Sequence, residues 1–163
     1  MASQNKTVKE TQVILARIMQ PQDANPAGNV HGGTVMKIID DAAAAVAMRH
    51  ARSNVVTVSI DRLDFHEPVY VGDLITLHSS MNYVGRTSME VGVRVEAENL
   101  RTGVVRHTAS AYLTFVALDD KLRPLPVPGL ITETPEEQKR FEEGRLRREE
   151  RIKQAKAKKE SKK

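Results

Sequence analysis

The stretch TVMKIIDDAAAAVAMRH, residues 34–50, decides the fold of this chain. It contains neither glycine nor proline and is rich in alanine, methionine and isoleucine, a composition that favours a long helix. At about 3.6 residues per turn, its apolar side chains fall on nearly every side of that helix. A helix that is apolar all round must be buried, so the rest of the chain has to supply its cover.

Segments of alternating apolar and polar residues predict the strands that form this cover. Four of them follow the helix: residues 56–61, 75–83, 88–98 and 104–118. In the first of these, Val56, Val58 and Ile60 form the apolar face of a half-buried strand. Ahead of the helix, Val13–Met19 is apolar without a turn former and predicts a strand buried on both faces. Gly85–Arg86 predicts a tight hairpin.

The order of these elements predicts an α+β chain with the hotdog architecture. One strand precedes the helix and four follow it, joined by connections too short for parallel crossovers. An antiparallel sheet of about five strands therefore wraps round one long central helix. Residues 1–130 form this domain, and residues 131–163 form a charged C-terminal helix, capped by Thr132 or Thr134, with a frayed Lys-rich tail. Because one sheet covers only part of the helix and leaves edge strands unpaired, we expect at least two copies to associate.

Composition excludes several classes of protein. The 163 residues are 40% hydrophobic and 28% charged, which fits one globular domain. There is no cysteine, and the five histidines are scattered, so no disulfide and no metal site is predicted. The net charge of +4 comes mainly from residues 139–163, and with 4% aromatic residues there is no stacking platform for nucleic acid. No apolar run approaches the roughly 20 residues of a membrane span, and we expect a cytoplasmic protein without membrane contact.

Two adjacent acids in the helix are separated by helical geometry. Asp41 shares a face with Lys37, which can neutralise it. Asp40 lies instead in line with the apolar Met36 and the small Ala43. A carboxylate on an apolar stripe is costly to bury unless it is paired or functional. Asp40 is therefore either a catalytic group or an acceptor of hydrogen bonds from a neighbouring subunit.

The helix begins at a glycine pair, Gly32 and Gly33, which is either an ordinary loop junction or an anion-stabilising end. Exposed N–H groups there could hold a thioester or ester carbonyl oxygen while charge develops on it. Asp40 lies about 10 Å farther along the axis, so both groups of one helix cannot serve one reacting carbon. A second copy's helix, or a loop residue such as Asn25, has to complete the site. His31 ranks second to Asp40 as general base, because a histidine before a helix can simply bond neighbouring backbone.

Several motifs in shared order resemble one known family. They are residues 23–33 (DANPAGNVHGG), residues 36–40 (MKIID), residues 55–61 (VVTVSID), residues 65–73 (FHEPVYVGD), in which His66 is interpreted as structural, residues 87–90 (TSME), residues 123–128 (RPLPVP) and residues 139–144 (KRFEEG). Together they resemble the hotdog-fold acyl-CoA thioesterases, in particular the cytosolic long-chain (brain) acyl-CoA hydrolases and their bacterial single-domain relatives.

The resemblance implies hydrolysis of fatty acyl-CoA to free fatty acid and CoA, within lipid metabolism. It implies no metal and no organic cofactor, since coenzyme A is part of substrate and product. Asp40 then activates water or attacks the thioester, Asn25 of the other subunit positions the reactants, and the Gly32–Gly33 helix start stabilises the carbonyl. Having both Asp40 and Asn25 in one repeat implies a symmetric homodimer, assembled further into a trimer of dimers, a homohexamer.

The resemblance also implies where coenzyme A binds. The family's binding stretches correspond to Val58, Ser59 and Ile60 and to Thr87, Ser88 and Met89, and Arg145 or Arg147 of the C-terminal helix is expected to reach a CoA phosphate. Two other functions remain open. A hotdog enoyl thioester hydratase or dehydratase would use His31 with an acid, and a non-catalytic acyl-CoA binding protein would leave the thioester intact.

Overall fold

The computed structural model of the chain describes residues 4–161. Its elements are β1 (Lys6–Thr7), α1 (Val8–Thr11), β2 (Val13–Ile18), a 3-10 turn (Pro21–Asp23), α2 (Gly32–Ala51), β3 (Asn54–Phe65), β4 (Leu74–Val84), β5 (Ser88–Asn99), β6 (Val104–Leu118), β7 (Leu130–Ile131) and α3 (Pro135–Glu160). The first three residues, assigned above to the domain, and the last two, assigned to the frayed tail, lie outside the described residues. Among those described, no helix has both the length and the apolarity needed to cross a membrane.

The main sheet has five strands in the order β2-β4-β5-β6-β3, and each neighbouring pair is antiparallel. The helix α2 packs against one face of it, and both share one core. Ala42, Ala43 and Ala47 are fully buried there, and their small side chains let helix and sheet approach closely. The structure confirms the predicted sheet round a long central helix. The hairpin at Gly85 is also confirmed, since its N–H donates to the carbonyl of Ser88 at 2.8 Å.

Two strand predictions are wrong about burial, because both strands lie at sheet edges. Ile14 and Ile18 of β2 point to the face away from α2, the outer face, and are exposed. Along β3, Val56, Val58 and Ile60 were expected on one half-buried face, yet they are 42%, 52% and 42% exposed. Two register shifts interrupt the alternation of β3, and no further strand of the described chain covers its free edge.

The C-terminal helix α3 packs on the outer face of the sheet. Thr134 caps it with a capping box to Glu137, one of the two predicted caps. At Gly144 the helix comes so close to β4 that an added Cβ would lie 2.7 Å from that of Tyr83, so this position requires glycine. The helix continues to Glu160, and the fraying of the Lys-rich tail stays a prediction. Pairs one turn apart, such as Gln154 with Glu150 at 3.0 Å, support its final turns.

The two ends of the domain meet at the C-terminal end of α2. The short strands β1 and β7 pair in parallel, a contact that the sequence analysis did not predict. Lys6 of β1 donates from Nζ to the carbonyls of Arg49 and His50 at 3.0 and 2.7 Å, which places a cation at the negative end of the helix dipole. His50 is fully buried beside them, with Nε2 2.8 Å from the carbonyl oxygen of Pro128.

Acidification should destabilise the fold through His50. Burial lowers the pKa of His50 from its ordinary value of 6.5, although the bond to Pro128 and the charge of Glu10 oppose this and that of Lys6 reinforces it. Its Nδ1 is buried without a partner in the described chain, so a second ring proton would lack an acceptor. Since the unfolded chain then binds more protons, stability falls as pH drops below about 6.5 until the lower folded pKa is passed. Urea unfolding across this range should show the slope, and His50→Leu should reduce it. An equal slope in both proteins would contradict the assignment.

Candidate active site

The N-terminus of α2 is capped by a histidine. His31 has extended backbone, and its Nδ1 accepts the N–H of Gly33 at 2.9 Å. The N–H groups of Thr34 and Val35 bond the carbonyl of His31 at 2.9 and 3.2 Å. Gly32 is the first residue of the helix, and its N–H has no acceptor within the described chain. Of the two glycines predicted to stabilise a carbonyl, Gly32 has the available donor, and that of Gly33 is engaged by the cap.

Asn25 lies in a tight loop that fixes the orientation of its amide. Its Oδ1 accepts the N–H groups of Ala27 and Asn29 at 3.0 and 3.3 Å, and its own N–H donates to the carbonyl of Asn29 at 2.7 Å. With the oxygen engaged by backbone, the Nδ2 group is the end that can donate to a ligand.

A cavity of about 310 Å³ opens between this loop and the start of α2. Its lining is Asn25, Asn29, Val30, Gly32, Val35, Phe65, His66, Glu67, Pro68 and Val69. The structure therefore brings two predicted site residues, Asn25 and Gly32, to one place. Asp40 does not line this cavity, and about two turns of helix separate it from Gly32.

Asp40 is half-buried and hydrogen-bonded to the edge strand. Thr57 of β3 donates from Oγ1 to Asp40 Oδ1 at 2.8 Å, and the other carboxylate oxygen has no partner in the described chain. The neighbouring Asp41 is exposed and pairs with Lys37 at 3.0 Å, as predicted. An anchored carboxylate with one free oxygen can accept a proton from water or attack a carbonyl carbon. Sequence reasoning assigned no role to Thr57, because as one polar residue of an alternating strand it carries no signal of its own.

The two predicted coenzyme A stretches flank β6 in the sheet. Ser59 pairs with Thr114 of β6 in register, and on the other side of that strand Ser88 pairs with Val116. Adjacent strands lie about 4.8 Å apart, so the stretches are roughly 10 Å from each other. Val58 and Ile60 are exposed and Ser59 is half-buried, whereas Met89 is buried in the core. Thr87 lies in the hairpin, where its carbonyl accepts the N–H of Ala117 at 3.1 Å.

The two arginines predicted to reach a CoA phosphate are already paired with carboxylates. Arg145 bonds Glu142 and Glu149 along the helix. Arg147 bonds the buried Glu90 at 2.7 and 3.0 Å and lies over the ring of Tyr112 at 4.0 Å. Burial disfavours the charge of Arg147, but Glu90 outweighs that effect and raises the pKa of the guanidinium. A phosphate would have to compete with these carboxylates.

The side chain of Arg148, to which the sequence assigned no role, lies beside the start of a predicted coenzyme A stretch. A Cβ added at Gly85 would be 3.2 Å from its Nε and 3.1 Å from Ser88 Oγ, so its side chain packs over the hairpin before β5. No carboxylate of the described chain pairs with it. Spacing along a helix of many arginines could not single it out, since the position of the hairpin is a tertiary feature.

Comparison with known proteins places the chain in a family. Residues 27–104 match the model of the thioesterase superfamily. A Bacillus subtilis protein named uncharacterized acyl-CoA thioester hydrolase is 43% identical over 129 residues, which cover 79% of this chain and 75% of the relative. The chain belongs to the thioesterase superfamily. The rat cytosolic acyl coenzyme A thioester hydrolase is 41% identical over 143 residues, which cover 86% of this chain but 38% of that protein. The chain thus spans under half the length of the mammalian relatives it matches.

Solved structures of thioesterases share the whole fold, which confirms the hotdog architecture. An apo hexameric acyl-CoA thioesterase matches with a TM-score of 0.89 at 42% identity, covering 94% of this chain and 98% of that one. The Staphylococcus aureus acyl-CoA hydrolase in complex with butyryl coenzyme A, coenzyme A and coenzyme A disulfide matches with a TM-score of 0.87 at 36% identity, covering 96% and 95%. Variants of that hydrolase with alanine in place of an aspartate, an asparagine or a threonine match at 34%, 35% and 35% identity.

The capping role of His31 can be tested by stability. His31→Ala should lower the free energy of unfolding by about 1 kcal/mol, because the first turn loses its acceptor for the N–H of Gly33. His31→Asn should keep most of that stability, since asparagine is among the strongest caps. Chemical denaturation at one fixed protein concentration compares the variants. If alanine and asparagine give the same unfolding midpoint, the ring is not acting as the cap.

Proposed function

We propose that this chain hydrolyses the thioester of fatty acyl-CoA and that Asp40 is its catalytic carboxylate. The observation that carries the proposal is the hydrogen bond from Thr57 to Asp40 at 2.8 Å. The asparagine, aspartate and threonine replaced in the Staphylococcus aureus hydrolase are 15 and 17 positions apart, the separations from Asn25 to Asp40 and from Asp40 to Thr57. Residues of the same three types at the same spacing support one shared site.

The chemistry follows from the free oxygen of Asp40. On one route the carboxylate takes a proton from water, the hydroxide attacks the thioester carbon, the C–S bond breaks, and the proton passes to the CoA thiolate. On the other route the carboxylate attacks the carbon itself, releases CoA and forms an anhydride that water then opens. A single turnover in ¹⁸O-labelled water separates the two routes. On the first route the label enters the fatty acid. On the second route the label enters Asp40 when water attacks the Asp40 carbonyl of the anhydride. Neither route calls for a metal or an organic cofactor.

The thioester carbonyl would be held at the start of α2. The N–H of Gly32 and the Nδ2 group of Asn25 are donors beside one cavity; the N–H of Gly33 would join them only by leaving its bond to His31. Donors fixed before the reaction stabilise the oxyanion without reorganisation. Because Asp40 of the same chain does not line that cavity, the complete site takes the Asn25 loop and helix start of one copy and the Asp40 of another.

Association of copies would occur at the free edge of β3. This edge exposes Val56, Val58 and Ile60, and an exposed apolar edge strand pairs readily with its own copy. We propose a homodimer with two equivalent sites, assembled further into a trimer of dimers. The hexameric state named for the similar apo thioesterase supports this. The cytosolic location named for the rat relative supports a cytoplasmic role in lipid metabolism.

Coenzyme A would bind along β3 and the hairpin before β5. The edge-strand residues Val58–Ile60, of which Val58 is unpaired with β6, and the stretch Thr87–Met89 offer backbone and hydroxyl groups. Arg148 and the exposed Arg86 add positive charge beside the hairpin. Guanidinium groups suit the phosphates of coenzyme A. Arg145 and Arg147 stay candidates for the same contacts if a phosphate displaces their carboxylates.

Asp40→Asn should lower kcat for acyl-CoA about 100-fold or more, because an amide neither accepts the proton nor attacks. The matched control is Asp41→Asn, which alters the next, exposed acid and should stay near the parent rate. Thiol release from a chain-length series of acyl-CoAs measures both and defines the substrate. Near-normal turnover by Asp40→Asn would refute the role of Asp40. If the parent protein hydrates an enoyl-CoA without releasing thiol, it is a hydratase. If the parent protein binds acyl-CoA without turnover, it is a non-catalytic acyl-CoA binding protein.

Mixing two variants that each lack one group of the proposed site tests whether that site is shared between copies; Asn25→Ala alone should lose less activity than Asp40→Asn. If subunits of Asn25→Ala and Asp40→Asn exchange at random, half the dimers are mixed, and each mixed dimer has one intact site and one doubly altered site. Activity should return to about one quarter of the parent value. Co-expression with two different tags, followed by purification of the mixed species, measures it directly. A site formed within one copy would give no recovery above the two variants alone.

A further inference from the structure

An arginine of α3 reaches the edge strand from the outer face of the sheet. Arg151 donates from Nη1 to Asp61 Oδ2 and to Thr114 Oγ1, both at 2.7 Å. Thr114 in turn donates to Asp61 Oδ2 at 2.8 Å, and Ser59 donates to Asp61 Oδ1 at 2.6 Å. Both oxygens of one carboxylate are thus engaged by three side chains from three different elements.

The segment that Asp61 holds is the irregular part of β3. The pairing of β3 with β6 shifts register between Thr57 and Ser59 and again between Ile60 and Arg62. A bulged residue lies outside the hydrogen-bonding ladder, and β3 has no neighbour on its other side in this chain. Val58 and Asp61 have no partner in β6, whereas Ser59 and Ile60 between them pair with Thr114 and Leu113. The backbone of residues 58–61 therefore has fewer strand partners than a regular edge strand and depends more on side-chain contacts for its position.

The ion pair of Arg151 and Asp61 is buried enough to hold the conformation of β3. The side chains are 28% and 14% exposed, whereas pairs in open solvent contribute little. Burial alone would raise the pKa of Asp61, but the bonds from Ser59, Thr114 and Arg151 outweigh it and lower that pKa. Removing Arg151 would leave a part-buried carboxylate without its counter-ion, and the group would move toward water and release Ser59.

We propose that Arg151 is a positioning residue for the coenzyme A site: by holding the unpaired Asp61, it fixes Ser59 and the irregular Val58–Ile60 segment in the conformation that binds the substrate. This inference rests on the proposed function, because the segment is taken as a contact of coenzyme A. Arg151 itself touches neither the substrate nor the reacting atoms.

The proposal concerns binding more than chemistry. Thr57, which holds Asp40, pairs in register with Phe115 ahead of the first shift, so its position does not depend on Asp61. Loss of Arg151 should therefore weaken substrate binding and leave the catalytic acid in place. A purely structural role would instead lower the active fraction, which reduces kcat and leaves KM unchanged.

The test compares Arg151→Met and Arg151→Lys with the exposed Lys153→Met on the same helix. Arg151→Met should raise KM for acyl-CoA about tenfold with kcat within about twofold. Arg151→Lys keeps a cation in reach of Asp61 and should recover most of the affinity, and Lys153→Met should match the parent. An unchanged KM in Arg151→Met, or a fall in kcat alone, overturns the proposal.

Asp61→Asn separates positioning from direct contact of Arg151 with a CoA phosphate. Positioning predicts a raised KM, because the amide cannot hold Arg151 and Ser59 as the carboxylate does. Direct contact predicts an equal or lower KM, since the guanidinium is freed for phosphate, and that result overturns the proposal. If Arg151→Met folds poorly, the double variant Asp61→Asn with Arg151→Met removes the uncompensated charge, and it must still show the raised KM.

Hydrogen exchange of the ligand-free protein distinguishes failure of this inference from failure of the proposed function. Arg151→Met should speed exchange in peptides covering residues 57–61 and leave β4 and β5 unchanged, whether or not the protein hydrolyses acyl-CoA. If the parent protein shows no turnover, only the proposed function fails. If the parent is active and the exchange of residues 57–61 is the same in the variant, the positioning role is refuted.

Discussion

The burial of α2 against one face of the sheet is the constraint on which the other features depend. Fully buried alanines bring the helix axis close to the strands, so there is no room for a polar group in the centre of that contact. Asp40 is accommodated because it lies at the margin, half-buried, where the edge strand offers the hydroxyl of Thr57. A hydrogen bond to a charged group stabilises by roughly 1.5–3 kcal/mol, enough to fix the carboxylate without neutralising it.

On the outer face, charged pairs act together with the contact of Phe141 and Tyr83 to determine how α3 lies. Arg147 and Arg151, one turn apart on α3, meet Glu90 of β5 and Asp61 of β3. Pairs of this kind add little net stability over apolar side chains of the same size, but leaving one partner alone costs about 3–5 kcal/mol. The pairs therefore act against every alternative register of α3. The close approach at Gly144 adds a steric constraint to the same effect.

Elements that depend on local pattern could be predicted from the sequence. The period of the strands and the absence of helix breakers in residues 34–50 are local properties, and helical geometry alone distinguished Asp40 from Asp41. The exposure of Val58 could not be predicted. Period-two alternation identifies the two faces of a strand, but it does not say which face the rest of the same chain covers. A bulge also moves the residues that follow it to the opposite face. Thr57 and Arg148 were missed for a related reason. Their partners are distant in sequence, and one threonine or arginine among many carries no spacing signal.

The edge strand connects assembly with chemistry. On its inner side β3 holds Asp40 through Thr57, and on its outer side it is held by Arg151 through Asp61. Its free edge is apolar and bulged. Within one chain, the strand that positions Asp40 therefore has no neighbouring strand on that side. A second copy pairing there would cover the apolar side chains and, on the proposed function, bring its own Asn25 loop toward Asp40. Under that arrangement a folded monomer has every catalytic residue and no complete site, so activity depends on association. The stability of the edge strand and the affinity between copies are then parts of one catalytic requirement.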